Sequence, residues 1–225
     1  LVVKSRGILA VKSVADVIFG TDWHPLRGDF GLWPFLVGTL WVTFAAMIVA
    51  VPVSLLTAVY LSEYAPRKVR ETTKPVVDLL AGIPSVVYGV WGVLMIVPLA
   101  RAVAPLFGAE TSGYSIFAGA VVLAIMIFPT IIHVVLEVFA AVPQALRDAS
   151  LALGATKWET VKHVVVRKGR PGIIAAVVLG LSRAFGETMA VLMVVGNVAR
   201  IPHSPFDSAY PLPALIANNY GEMMS

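Results

Sequence analysis

Two ionisable residues, Arg183 and Glu187, stand near the middle of the otherwise uncharged stretch 171–199. On insertion scales an ionised side chain at the centre of such a segment costs at least ~2.5 kcal/mol, so something must offset each charge. Their i, i+4 spacing predicts one shared helix face, on which they can pair and look into a bundle interior or an aqueous cavity. An arginine stays ionised, and its planar fork offers bidentate hydrogen bonds to phosphate-type oxyanions. Two readings are open. Arg183 lines an anion path with Glu187 steadying the fork, or the pair only fixes helix register. Gly180 and Gly186 leave little side chain around them, which admits a ligand or a neighbouring helix.

Other chemistry is thinly represented. The chain has no cysteine, which excludes a disulfide framework and a thiolate metal site. No G-x-x-x-x-G-K-[ST] pattern is present, so the chain holds no ATP in the usual way. A membrane-embedded enzyme would need clustered His, Asp or Glu, and none is found. His133, one turn before Glu137, fits a packing histidine or a proton relay. Glu63 and Asp78 read as boundary residues, and Asn197 as a cap or an interhelical bond.

The elements that must position Arg183 are membrane spans. Hydrophobic residues make up 58% of the chain and charged ones 13%, with a mean hydropathy of +0.86. A globular domain cannot bury that much apolar surface, so the chain belongs in a bilayer. Stretches 30–62, 79–100 and 111–136 contain no Asp, Glu, Lys or Arg, and each is long enough to cross the hydrocarbon core. With 171–199 they predict four spans at about 36–61, 78–100, 114–137 and 172–197 in one domain covering 1–225. Pro52, Pro84, Pro98 and Pro129 fall inside these spans and predict kinks. Gly82, Ser85, Gly89 and Gly92 recur at helical spacing, which would let another helix approach closely.

Basic residues sort by connection. Arg67, Lys68, Arg70 and Lys74 lie in one, and Arg147, Lys157, Lys162, Arg167, Lys168 and Arg170 in another, whereas Arg27, Arg101 and Arg200 are alone on the opposite side. The positive-inside rule puts the two basic connections in the cytoplasm. Residues 1–35 and those after Ala199 then lie outside, so further spans are expected beyond both ends. Lys4, Arg6 and Lys12 fit an outer position poorly. Residues 7–19 read as an interfacial helix or the end of such a span, and 21–31 as a loop. Pro202, Pro205, Pro211 and Pro213 predict an outer loop rather than a helix.

The connection 138–170 is too patterned for a tether. Pro143 suits the first turn of a helix through Leu153, which Gly154 stops. Thr156 and Glu159 form an S/T-x-x-E capping box that nucleates a second helix, on which Trp158, Val161, Val164 and Val165 recur at helical spacing. The unit is either a rigid knob for another protein or an amphipathic hairpin lying in the headgroups.

These residues resemble a known family. Asp148-Ala149-Ser150, three residues, Gly154, nine residues, Val164, one residue and Val166 are similar to the EAA loop of importer-type ABC permeases. Asp148 stands for the usual glutamate and Arg167 for a usual proline. The segments 81–89, 180–190 and 61–65, with Thr21-Asp22-Trp23, resemble the phosphate-specific branch. The resemblance implies an all-α polytopic transmembrane bundle of the type I importer permease kind with a cytoplasmic coupling helix, in a prokaryotic plasma (inner) membrane. It implies a subunit without catalysis of its own that passes phosphate by alternating access. Arg183 and Glu187 would line the substrate path, and Asp148, Ala149, Ser150, Gly154, Thr156 and Glu159 would couple to an ATP-binding subunit. Implied partners are a second, similar permease chain, two ATP-binding subunits that hold ATP and Mg, an extracytoplasmic phosphate-binding protein and the lipid bilayer, with no nucleic acid. This chain would bind no cofactor. Another oxyanion importer (sulfate or molybdate) and, less well matched, a secondary transporter are the alternatives.

Overall fold

The computed structural model describes residues 13–24 and 29–220. Lys4, Arg6, Lys12, Arg27 and the predicted segment 7–12 lie outside the described residues. Helix α1 (Val14–Phe19) starts where the Ser13 hydroxyl accepts a hydrogen bond from the Asp16 amide. The predicted loop 21–31 contains a two-residue antiparallel pair, β1 (Trp23–His24) with β2 (Asp29–Phe30), in which Trp23 faces Phe30. Among the described residues, everything else of regular structure is helical, apart from a single bridge between Gly196 and Ala209.

Three helices among the described residues are long and apolar enough to cross a membrane. The first is α2 (Trp33–Val59) with its continuation through a π turn, Tyr60–Tyr64, and Pro52 does not interrupt it. The second joins α4 (Ser85–Trp91), a π turn (Gly92–Ile96), α5 (Val97–Val103) and a 3-10 turn (Ala104–Phe107). The third is α6 (Ile116–Ala140). Between the first two lies α3 (Arg67–Gly82), which carries the basic residues of the first connection. After α6 come α7 (Gln144–Ala152), α8 (Lys157–Thr160), a π turn (Val161–Val165) and α9 (Val166–Gly186), the last three forming one unbroken helix. Short α10 (Met189–Val194) and α11 (Leu212–Tyr220) complete the order.

Helix α6 is the centre of the bundle. Two thirds of its apolar window is buried, against 39% for α2 and 28% for the second span. Its Leu123, Met126, Ile127, Ile131, Val135 and Phe139 are fully enclosed, while α2 turns Ile48 and Leu56 outward, as a helix facing lipid or another chain would. Helix α9 lies close against α6 because Gly180 has no side chain. A Cβ there would meet Ile131 at 2.9 Å and Ile127 at 3.1 Å. Gly89 and Gly92, two of the small residues predicted to admit a helix, do so: their positions abut Ala190 and Met193, and Val122 and Val194. Gly82 has open space instead.

Three expectations are revised. The stretch 78–100 is not one span: its first residues complete α3, and Ile83-Pro84 separates them from α4. Proline disfavours helical geometry in the residue before it, and that local rule prevails over continuous hydrophobicity. The stretch 172–197 is also divided, because α9 ends at Gly186 and Glu187 is extended. The proline-rich segment does not stay a loop, since α11 begins at Leu212 with Pro213 in its first turn, where a missing amide hydrogen costs nothing. The Leu212 amide donates to the Thr39 hydroxyl of α2 at 2.9 Å, docking this helix on the bundle.

Substituting Gly180→Leu forces side-chain atoms into α6, and overpacking of this kind costs about 1–3 kcal/mol. A lower thermal unfolding midpoint in detergent is expected, while Gly82→Ala, with nothing within 4 Å of an added Cβ, leaves the midpoint unchanged or higher.

Candidate functional site

The two helix breaks meet. Helix α4 follows the break at Ile83-Pro84, α10 follows the break at Glu187-Thr188, and the two packed segments touch through Gly89, Ala190 and Met193. Each break frees backbone groups that must find partners inside an apolar bundle. Pro84 cannot donate to the Leu80 carbonyl as a helical residue would, and the Tyr88 hydroxyl donates to that carbonyl instead at 2.8 Å, alongside the Ile83 amide at 3.3 Å. At the second break the Glu187 carboxylate accepts from the Ala190 amide at 3.1 Å and so caps α10.

Arg183 is in the last turn of α9 and aims at α6. Its guanidinium donates to the Thr130 hydroxyl at 3.1 Å. No ion pair joins it to Glu187, because the end of the helix removes the shared face that an i, i+4 spacing presumes. The predicted pair is therefore replaced by two separate arrangements. Glu187 serves a helix end, and Arg183 keeps a positive charge whose bonded partner is a neutral hydroxyl. Thr130 lies about 15 Å along α6 from Ala140, taking 1.5 Å per residue, so the part-buried guanidinium is well away from that end of the helix. A hydroxyl that accepts from arginine still has its own proton to donate. A guanidinium and a hydroxyl beside it make a setting suited to an oxyanion.

His133 is neither packed nor isolated. Half exposed, it places Nδ1 3.1 Å from Asp78 of α3 and Nε2 3.3 Å from Glu137 of α6, beside a cavity of about 210 Å³ that Lys74 also lines. Asp78 thus has a partner that its position in the sequence did not suggest. Asn197 follows α10 with φ of 54° and donates to the Leu192 carbonyl at 2.9 Å, a C-terminal cap rather than a bond between helices.

The second candidate region is the connection after α6. Helix α7 ends at Ala152, and two residues later Gly154, with φ of +87°, is a left-handed stop that favours glycine. The capping box forms in full: the Thr156 amide and hydroxyl each donate to the Glu159 carboxylate at 2.8 Å, and the Glu159 amide donates to the Thr156 hydroxyl at 3.3 Å. Ser150 and Thr160 are bonded at 2.9 Å and tie α7 to α8. Asp148 and Ala149 are exposed, with Asp148 accepting from the Gln144 amide group. Of the predicted stripe, Val161 and Val165 are enclosed while Trp158 points out, together with Leu151 and Leu153. A knob that offers large apolar side chains to its surroundings is built to be covered. The helix leaving it does not end near Arg167 but runs straight into α9.

The partner of Arg147 left no signal in the sequence. Its guanidinium donates to Glu63 at 3.0 Å, to the Phe139 carbonyl at 2.8 Å and to the Val142 carbonyl at 2.6 Å, and both charged side chains are nearly buried, 12% and 10% exposed. Lys157 lies 4.9 Å over the Tyr64 ring.

The capping box carries a pH dependence. The Thr156 amide, and then its hydroxyl, hold the Glu159 carboxyl below its ordinary 4.5. A depressed carboxylate stabilises the fold above that ordinary value, and its contribution is lost as pH falls through the lower folded value. Amide exchange protection at Glu159 and Thr160 is expected to fall as the pH drops below the ordinary glutamate value, and Glu159→Gln is expected to remove that pH dependence.

Residues 50–217 match the family described as binding-protein-dependent transport system inner membrane component. The chain is 40% identical to a probable ABC transporter permease protein of Bacillus subtilis, YqgH, over 97% of this chain and 71% of that one. It is 37% identical to the phosphate transport system permease protein PstC of Pasteurella multocida, over 91% and 69%. Among solved structures, an inward-facing MetNI methionine ABC transporter superposes with a TM-score of 0.58 at 24% identity, covering 89% of this chain and 81% of that one, a likeness of fold. With three membrane-length helices around a shared core and a family match across most of its length, this chain is an integral membrane protein that belongs to the inner membrane components of binding-protein-dependent transport systems.

Proposed function

We propose that this chain is the membrane-spanning permease subunit of an ATP-driven phosphate importer of the prokaryotic plasma membrane. The observation that carries the reading is Arg183: a guanidinium inside the bundle at the meeting point of two broken helices, bonded to a hydroxyl and, among the described residues, to no carboxylate. Relatives named as phosphate transport permeases support the substrate. Discontinuous helices of this kind are where membrane transporters place substrate, because freed backbone groups and helix ends face the cavity.

Phosphate entering from the outer side meets the guanidinium fork, which supplies two parallel donors, and the Thr130 hydroxyl, which supplies a third. Glu187 does not compete, since its carboxylate serves the α10 amide. The breaks at Ile83-Pro84 and Glu187-Thr188 let the halves of each helix tilt separately, which is what alternating access requires of a site that opens first to one side and then to the other. The chain works without a catalytic site or cofactor of its own. ATP and Mg sit on two ATP-binding subunits that grip the knob of Asp148, Ala149, Ser150, Gly154, Thr156 and Glu159, with Leu151, Leu153 and Trp158 as its apolar contacts. A second permease chain completes the pathway, and an extracytoplasmic phosphate-binding protein delivers the anion.

ATP-dependent uptake of phosphate into proteoliposomes holding the complete complex tests this. Arg183→Gln is expected to keep the complex intact and lower uptake by about two orders of magnitude or more, the scale of losing a bidentate charged contact. Normal phosphate uptake by that variant contradicts the anion path. Uptake of sulfate or molybdate in place of phosphate by the unmodified complex contradicts the substrate while leaving the pathway standing.

A further inference from the structure

The contacts of Arg147 give the knob a second role. The segment Tyr60–Tyr64 ends the first span in a π turn closed by the Ala65 amide on the Tyr60 carbonyl at 2.8 Å. Such a turn inserts one residue and rotates the next part of the helix, and it recurs at functional sites. Here the turn brings Glu63 to Arg147, 84 positions away in sequence, and Tyr64 to Lys157. The Ser62 hydroxyl donates to the same Glu63 oxygen at 3.0 Å. Arg147 also donates to the carbonyls of Phe139 and Val142, where α6 ends and the connection to α7 begins. One guanidinium therefore joins the ends of α2 and α6 to the helix that leads the knob, and Lys157 adds a contact from the helix that leaves it.

We propose that Arg147 is a positioning residue that locks the knob to the end of the first span through Glu63, so that displacement of the knob enters the bundle through α2 as well as through α9. The proposal rests on the reading that an ATP-binding subunit moves the knob. Helix α9 is covalently continuous with α8 and moves with the knob in any case. Helix α2 is far from it in the chain, and Glu63, steadied by Ser62 and with Tyr64 against Lys157, attaches its end to the knob. A nearly buried charge pair suits this role because it resists separation more than exposed pairs do. It also explains why a glutamate stands at the end of an apolar span, where an uncharged residue would be less costly to bury.

The chain has no cysteine, so two introduced ones are its own labelling sites, and any cysteines of the partner subunits are replaced first. Spin labels at Ala145→Cys on exposed α7 and Arg67→Cys at the start of α3 read the knob-to-span distance in the complete complex, without nucleotide and trapped with ATP and vanadate. With Glu63 and Arg147 intact, the same narrow distribution is expected in both states. In Glu63→Gln, which keeps the shape and removes the charge, and in Arg147→Lys, which cannot reach all three acceptors, the distribution is expected to broaden or shift between states. The ATP-binding subunit stays bound and hydrolyses ATP, while phosphate taken up per ATP falls by roughly tenfold or more. A distance that changes between states with the pair intact overturns the proposal, as do variants with unchanged distances and uptake per ATP. Loss of the ATP-binding subunit from both variants also overturns it, because the pair then only holds the fold. If the unmodified complex hydrolyses ATP and takes up no phosphate, the substrate reading fails and the distances alone decide the lock.

Discussion

A part-buried guanidinium in an apolar bundle, bonded among the described residues to a hydroxyl and to no carboxylate, is the constraint on which the arrangement of this chain depends. Burying such a charge is costly unless donors find acceptors, and the chain supplies one, the Thr130 hydroxyl. Bringing that hydroxyl within reach requires α9 to lie tightly on α6, which the bare Gly180 position permits against Ile127 and Ile131. The enclosed face of α6 and the glycine on α9 are thus conditions for a charge that stays short of full neutralisation. An anion that completes the set would be favoured at this point.

The same constraint explains the broken helices. Continuous helices would satisfy every backbone group internally and leave no polar surface at the level of Arg183. Two breaks at one level expose carbonyls and amides, and two side chains cover the most costly of them: Tyr88 on the Leu80 carbonyl and Glu187 on the Ala190 amide. The result is a polar junction at the two helix breaks. At the basic end, Arg147 and Glu63 form the opposite kind of charge arrangement, a matched pair that makes a joint stiff. The molecule thus pairs its charges at the basic end and leaves Arg183 bonded to a hydroxyl beside the broken helices, where we propose the anion binds.

Much of this was legible in the sequence wherever the signal is local. Hydrophobic length alone marked α2 and α6. The turn chemistry of Gly154 and the Thr156–Glu159 box formed as the spacing predicted, because caps depend on residues within one turn of each other. Arg183 stood out by the cost of its position. The division of two apolar stretches was legible in principle: Pro84 biases Ile83 away from helix, and Gly186 before Glu187 and Thr188 combines a helix stop with residues that start a new one. A strongly hydrophobic run hid both, and the expected Arg183–Glu187 pair failed with the second. Partners distant in sequence left no mark. Glu63 finds Arg147, and Asp78 finds His133, only once α2, α3 and α6 are packed. Helix α11 was hidden by prolines that turn out to lie at its start, where they are harmless.

The central claim is that an oxyanion binds at Arg183. The most direct measurement is a structure of the complete complex trapped in mid-cycle with a heavy oxyanion such as tungstate, whose scattering identifies it without ambiguity. Density for the anion is expected within hydrogen-bonding distance, about 3 Å, of the Arg183 guanidinium, near the Thr130 hydroxyl and level with the two helix breaks. An anion bound elsewhere in the membrane region, with Arg183 bonded only to Thr130, would contradict it.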